Sequence, residues 1–474
     1  MTSERVLEIF KEITTVPRES GYEAPFTDWL ERWAASHSLA CKRDKIGNIL
    51  ITKEASSGKE GVPTMVLQAH QDMVCEKNHD CDHDFRKDPI QYVIKDGWMV
   101  AEQTTLGADD GIGVAACLAL LEDTRAMGKL ECLFTISEET GMDGAEALEK
   151  GFFDGKTLIN LDSEDEGQLF IGCAGGLNTN VKFHVNRVAV KKDWNYVHLG
   201  VKGGIGGHSG DDINKGRCNA VQELARFLYS ELPFGLQLLH IAGGGKPNAI
   251  AREAEAVIAV PEPRETMERF SAFNESLKKE FCVTDPEIIA VSRTQNYDYK
   301  AIDSESAKNI ITSLFTAPHG VYAMSQSIKD LVETSTNLAS VRIPSNGIIE
   351  IVTSQRSSLT SQRRMMAAKV RANFEAAGAE VKHMYEYPGW TPDLSSNILK
   401  VTVEAYRRLF NQEPEVKAIH AGLECGLFLE KFPGLDMISF GPTLRGVHAP
   451  GERLELASMD KFVKLLEEVV CEFR

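Results

Sequence analysis

The residues Ala69-His70-Gln71-Asp72 follow directly on an apolar run, Met65-Val-Leu. An imidazole can ligate a metal through one ring nitrogen while a carboxylate fixes its tautomer through the other, and Asp72 is placed to do so for His70. Alone the pair says little, since a solvated loop histidine beside an ordinary acid reads the same way. Further acids stand at comparable places. Gly107-Ala-Asp109-Asp110-Gly-Ile-Gly113 precedes a helical pattern, where the acids could equally satisfy free amides at a helix start. Ser137-Glu138-Glu139-Thr140-Gly141 follows the apolar 130–136 segment, and Asp162 ends the 157–161 segment. His448 lies in Gly446-Val-His-Ala-Pro-Gly-Glu452, after the apolar 435–440 segment. Neighbouring glutamates can divide labour, one holding a metal and the next acting as general base on a water. Two histidines and three carboxylates, one of them shared, suit two divalent ions about 3.5–4 Å apart. Mixed nitrogen and oxygen ligation favours zinc, with manganese or cobalt as alternatives.

The elements that would position these residues alternate in type. Gly47–Thr52 and 64–69 read as strands, 111–122 as a helix with Val114, Cys117, Leu118 and Leu121 on one face, and 130–136 and 157–161 as further strands. This is the pattern of a mainly parallel α/β sheet covered by helices, whose ligands collect at the carboxyl ends of strands. From Gly172-Cys-Ala-Gly-Gly the strands alternate more strictly, as in Asn178-Thr-Asn-Val-Lys-Phe-His-Val, which suits an antiparallel sheet. The predicted division is a first catalytic part over 1–176, an inserted α+β lid domain over 177–388, and a second catalytic part over 389–474. The insert reads as duplicated. One half holds His240 to Asn248, a strand ending at Pro261 and a helix over 265–280; the other holds Tyr322 to Arg356 and a helix over 360–377. Two unrelated hairpin-plus-helix units are the alternative.

Composition narrows the class. The chain has 474 residues, about three typical domain lengths. With 52 Lys and Arg against 69 Asp and Glu its net charge is −17, which disfavours nucleic acid as a partner. The N-terminal segment lacks a secretory pattern and no run is long enough for a membrane span, so a cytoplasmic protein is expected. Ten scattered cysteines without a Cys-x-x-Cys pair read as reduced thiols rather than zinc ligands. No Gly-x-Ser-x-Gly elbow follows a strand, which disfavours a serine hydrolase.

In order and spacing, His70-x-Asp72, Asp109-Asp110, Glu138-Glu139, Asp162 and His448 resemble the M20 metallopeptidases. Gly107-Ala-Asp-Asp-Gly-Ile-Gly, Ile136-Ser-Glu-Glu-Thr-Gly-Met and Gly206-Gly-His-Ser-Gly point to the bacterial aminoacyl-histidine dipeptidase branch. The resemblance implies two metals, one on His70, Asp109 and Asp162 and the other on Asp109, Glu139 and His448, with a cis peptide between Asp109 and Asp110. It implies Asp72 as orienter of His70 and Glu138 as general base and acid. It implies His208 as the group that polarises the scissile carbonyl, with Asn248 and Arg356 holding the substrate; Arg252 and Arg445 compete with Arg356 for the substrate carboxylate. Thr443 is a further candidate contact to that end, and Glu424 a candidate for the substrate amino group. The expected activity is metal-dependent hydrolysis of dipeptides, Xaa-His among them, with a homodimer as the preferred assembly. Deacylation of N-acyl-amino acids or cleavage of tripeptides on the same site, and metal-dependent binding without catalysis, are the alternatives.

Overall fold

The computed structural model describes residues 1–474 apart from 295, 296, 298, 299, 345 and 346. It divides into two compact units: one of 1–172, 390–418 and 423–474, the other of 173–389 and 419–422. No helix among the described residues is long and apolar enough to cross a membrane.

The first unit is built on an eight-stranded sheet. Its order is Ala40–Arg43, Ile49–Lys53, Leu130–Thr135, Met65–His70, Thr157–Asn160, Asp436–Ser439, Gln168–Cys173 and Glu415–Ile419. The centre is parallel, as the apolar runs predict, because strands buried on both faces need no polar alternation. The flanks pair antiparallel, so the sheet is mixed rather than mainly parallel. Helix Ser3–Ile13 buries Val6, Ile9, Phe10 and Ile13 along one stripe, the spacing of a surface helix. Helix Ala108–Glu122 differs from the one-faced reading: every residue from Ala108 to Leu121 is buried. Its small and aliphatic side chains allow enclosure on all sides. A four-stranded antiparallel sheet of Leu444–Arg445, Arg453–Glu455, Trp98–Ala101 and Tyr92–Lys95 joins two distant parts of the chain.

The second unit carries a nine-stranded sheet whose pairings are antiparallel. Its two halves have one plan. Asn195–Lys202, helix Ala220–Glu231, Gln237–Gly244, Ala254–Val260, helix Pro263–Glu280 and Ile289–Thr294 form the first. Gly175–Phe183, helix Ser304–Thr316, Val332–Arg342, Ile349–Ser357, helix Thr360–Ala376 and Glu380–Tyr387 form the second. Each lays its four strands in the order fourth, first, third, second, and the two second strands pair at the seam through Gly243–Val341 and Gly244–Ser340; the ninth strand, Gly320–Met324, pairs with Val332–Arg342. Gly244 has φ +67°, and a Cβ there would collide with the Ala339 carbonyl, so the seam closes only on glycine. Residues 419–422 join this unit because the Ala174 amide donates to the carbonyls of Ile419 and Ala421, each at 3.0 Å.

His420 is buried in this unit with Nε2 2.7 Å from Ser335 Oγ, and burial, reinforced by Arg356, presses its pKa down to about 3. In the unfolded chain a histidine takes a proton near pH 6.5 that the folded state refuses. Stability is therefore full above pH 6.5 and is lost as pH falls. One proton corresponds to about 1.4 kcal/mol per pH unit. Between pH 6 and pH 5, urea unfolding should show the native chain losing more stability than His420→Gln by about that amount. Equal losses in the two would exclude His420 as the cause.

Candidate active site

The central strands bring the acidic positions to one edge. Gln68 pairs with Asn160 and His70 with Thr135 in parallel register, so Asp162 and the 136–139 loop emerge level with His70. The four-stranded sheet supplies the rest: Arg453–Glu455 pairs with Trp98–Ala101, which carries the His448 loop to the segment that leads into Asp109.

Asp109 stands between two imidazoles. Its Oδ1 lies 2.9 Å from His70 Nε2 and its Oδ2 3.1 Å from His448 Nε2. His70 Nε2 is also 3.6 Å from Asp162 Oδ1, and His448 Nε2 is 3.0 Å from Glu139. The potential ligand atoms fall into His70, Asp109 and Asp162 on one side and Asp109, Glu139 and His448 on the other, and a third combination groups His70, Glu138 and Glu139. The peptide between Asp109 and Asp110 is cis.

Asp72 is fully buried and accepts four contacts. The amides of Glu138 and Glu139 donate to its two oxygens at 3.1 and 3.2 Å, and Ser20 Oγ donates at 2.8 Å. Its Oδ1 lies 3.4 Å from His70 Nδ1, while its own carbonyl is closer to that nitrogen, at 3.1 Å. Asp72 thus holds the glutamate loop as well as the histidine. Glu23 assists from below, accepting from the amide and hydroxyl of Ser137 at 3.1 and 3.0 Å.

The electrostatics call for cations. Burial pushes the carboxyls of Asp162, Glu138 and Glu139 upward, with neighbouring carboxylates adding to the effect. Asp109, against its burial, is held well below the usual range by hydrogen bonds to His448 and His70. His448 is drawn up to about 11 by Asp109 and Glu139. Among the described residues, the ion-pair partners of Asp109, Asp162 and Glu139 are these two imidazoles, not lysine or arginine. A set of oxygen and imidazole donors short of positive charge, with one carboxylate facing both groups, fits two divalent cations.

The second unit holds the remaining candidates. His208 Nδ1 is 3.2 Å from Asp211 Oδ2, and its amide donates to Asp212 Oδ2 at 2.8 Å. Arg356 is buried, with Nη1 3.3 Å from Tyr387 Oη, Nη2 3.5 Å from His208 Nε2, and Nε without a partner. Asn248 is exposed and lines an open groove of about 1030 Å³ together with His208 and Arg252. Its loop is tied to that of His208 by the Ser209 amide donating to the Asn248 carbonyl at 2.8 Å. Asn337, buried, donates to the carbonyls on either side of Asn248 at 3.2 and 2.8 Å.

Two expectations are placed differently. Glu424 is 0% exposed and accepts from Gln68 Nε2 at 2.6 Å and Thr135 Oγ1 at 2.8 Å. Its Oε1 is buried without a partner, and its charge adds to the upward push on Glu138. Thr443 accepts from the Glu166 amide at 3.3 Å and donates its own amide to Ser458 Oγ at 2.8 Å, so it is engaged within the loop framework. Arg445 pairs with Asp165 at 2.7 Å, and Arg252 is exposed. Sequence reasoning missed Arg18, Glu23 and Glu452, which hold backbone rather than offering ligand atoms. Only Glu452 gave a signal, as the last residue of the Gly/Pro-rich His448 segment.

Residues 66–472 match the profile of peptidase family M20/M25/M40. The cytosol non-specific dipeptidase of Escherichia coli is 39% identical over 469 residues, covering 98% of this chain and 96% of that protein. The crystal structure of aminoacylhistidine dipeptidase from Vibrio alginolyticus superposes with a TM-score of 0.91 at 36% identity, over 98% of this chain and 96% of that one. Aminopeptidase PepT from Bacillus cereus, 17% identical with a TM-score of 0.58 over 99% and 98% of the two chains, shares the fold. The match runs from the strand that delivers His70 to the final helix, and the chain belongs to peptidase family M20/M25/M40.

Proposed function

We propose that the chain is a metal-dependent dipeptidase of broad specificity that includes Xaa-His substrates. One observation carries the reading: the two oxygens of Asp109 face the imidazoles of His70 and His448 at 2.9 and 3.1 Å. It is supported by the two relatives at 39% and 36% identity, both named as dipeptidases. His70, Asp109 and Asp162 would hold one cation and Asp109, Glu139 and His448 the other, with zinc favoured by the donor set and manganese or cobalt as alternatives. When bound, such cations polarise a carbonyl and lower the pKa of water toward about 7.

The chain's own residues do the rest. Glu138 takes the proton of the attacking water and returns it to the leaving amine. Asp72 fixes the Glu138 amide and so aims that carboxylate. His208 donates toward the developing oxyanion, where a placed donor contributes most. Arg356, with an unpaired buried Nε, meets the substrate's free carboxylate, and Asn248 steadies the peptide.

Glu138→Gln should retain two cations per chain by metal analysis while kcat falls by about 10²–10⁴-fold. Turnover near that of the native chain would refute the assignment of Glu138.

Chelation should abolish hydrolysis, and zinc should restore it. A panel of dipeptides, tripeptides and N-acetyl-amino acids should then show dipeptides cleaved with the highest kcat/KM. Preference for either other class would replace the dipeptidase reading, and binding without turnover would remove the enzyme reading altogether.

A further inference from the structure

The segment that presents Asp109 cannot hold itself in place. Gly107 is left-handed with φ +70°, and Asp109 and Asp110 depart from helical φ and ψ, so the amides of this stretch have no helical partners. One side chain supplies acceptors for four of them. Glu452, 2% exposed, accepts from Leu106 at 2.8 Å and Gly107 at 3.1 Å on Oε2, and from Ala108 at 2.8 Å and Asp109 at 3.4 Å on Oε1. The carbonyl side of the same turn is held by Arg18, also buried. Its Nη2 donates to the Gly107 carbonyl, while Nη1 donates to the carbonyls of Gln71 at 3.1 Å and Asp72 at 2.9 Å. A Cβ on Gly107 would collide with Arg18 Nη2 and Met73 Sδ, so the turn is built tightly against this guanidinium.

The two side chains join different loops to Asp109. Arg18 ties it to the loop of His70 and Asp72. Glu452 belongs to the His448 loop and ties Asp109 to that. Every contact either side chain makes here is to backbone, so neither offers an atom to a cation. We infer that Arg18 and Glu452 are positioning residues that hold the shared Asp109 against the two histidine loops, so that loss of Arg18 falls harder on the His70–Asp109–Asp162 group and loss of Glu452 on the Asp109–Glu139–His448 group. This rests on the two-cation reading above. Removing groups that orient metal ligands lowers affinity by about 10–100-fold, and because Asp109 is shared both sites should weaken, the one on the side of the removed residue more.

The test measures zinc and cobalt binding to the full chain by calorimetric competition with a chelator. His70→Ala and His448→Ala identify which binding event belongs to which group. Arg18→Met should weaken the event lost in His70→Ala by about 10–100-fold and the other event by clearly less. Glu452→Gln should do the reverse. Arg18→Lys and Glu452→Asp, which retain charge, provide soluble variants should the first pair fail to fold, and should show the same split at smaller size. Equal weakening of both events, or unchanged affinities with only a lower unfolding temperature of the metal-free chain, would overturn the inference. A native chain that takes up fewer than two cations would sink the two-cation reading itself, and is seen before any variant is compared.

Discussion

Asp72, Asp109, Glu138, Glu139 and Asp162 crowd one edge of a sheet, and like charges so close oppose folding. Two of them 4 Å apart repel by about 4 kcal/mol at an effective dielectric constant of 20. Much of the first unit can be understood as the means of bearing that repulsion until opposite charge arrives. Asp72 faces the His70 imidazole and accepts from two amides and a hydroxyl, so the charge it keeps also organises its neighbours. Asp109 is flanked by imidazoles. Asp162 and the two glutamates are left with carboxyls shifted upward, so their ionisation depends on what the site binds.

Parallel pairing is what makes such crowding reproducible. Strands that run the same way deliver their ends to the same edge, and the registers of Gln68 with Asn160 and His70 with Thr135 set the levels. The last histidine comes from a different device, a small antiparallel sheet that pairs residues 453–455 with 98–101. Sequence neighbours thus matter less here than which strand edges are hydrogen-bonded.

This explains what was legible in the sequence. His70, Asp109, Glu138, Glu139, Asp162 and His448 follow apolar strands or precede an apolar helix, and a strand end is visible as a change of texture. The repetition within the inserted unit was visible only in part: alternation and helix spacing gave the middle strands and second helix of each half, but did not assign to the repeat the first strands Asn195–Lys202 and Gly175–Phe183 or the first helix of each half. The burial of Glu424 was not legible because its Ala421-Gly-Leu-Glu-Cys-Gly surroundings suggest an open loop, whereas the chain enters helix Glu424–Lys431 there and brings the carboxylate against Gln68 and Thr135. Arg18 was silent because backbone partners leave no mark on residue type, and Glu452 was marked only by its place at the end of the His448 segment, not by its partners. The antiparallel flanks of the first sheet and the membership of residues 419–422 in the second unit depend on pairings between distant segments, which local pattern does not encode.

The nesting of the two halves has a consequence for how the chain reaches its native state. The first half occupies 195–294 without interruption and can complete its four strands from local material. Strand Gly175–Phe183 belongs to the second half, and its partners Ile349–Ser357 and Glu380–Tyr387 lie beyond the whole of the first. On the ribosome that strand emerges well before anything it pairs with, and it must be kept from other edges meanwhile. Long-range pairing of this kind is slow, because loop closure precedes any stabilising contact. Synthesis order therefore favours the inner half as the template, with the outer half pairing onto its Gln237–Gly244 edge last.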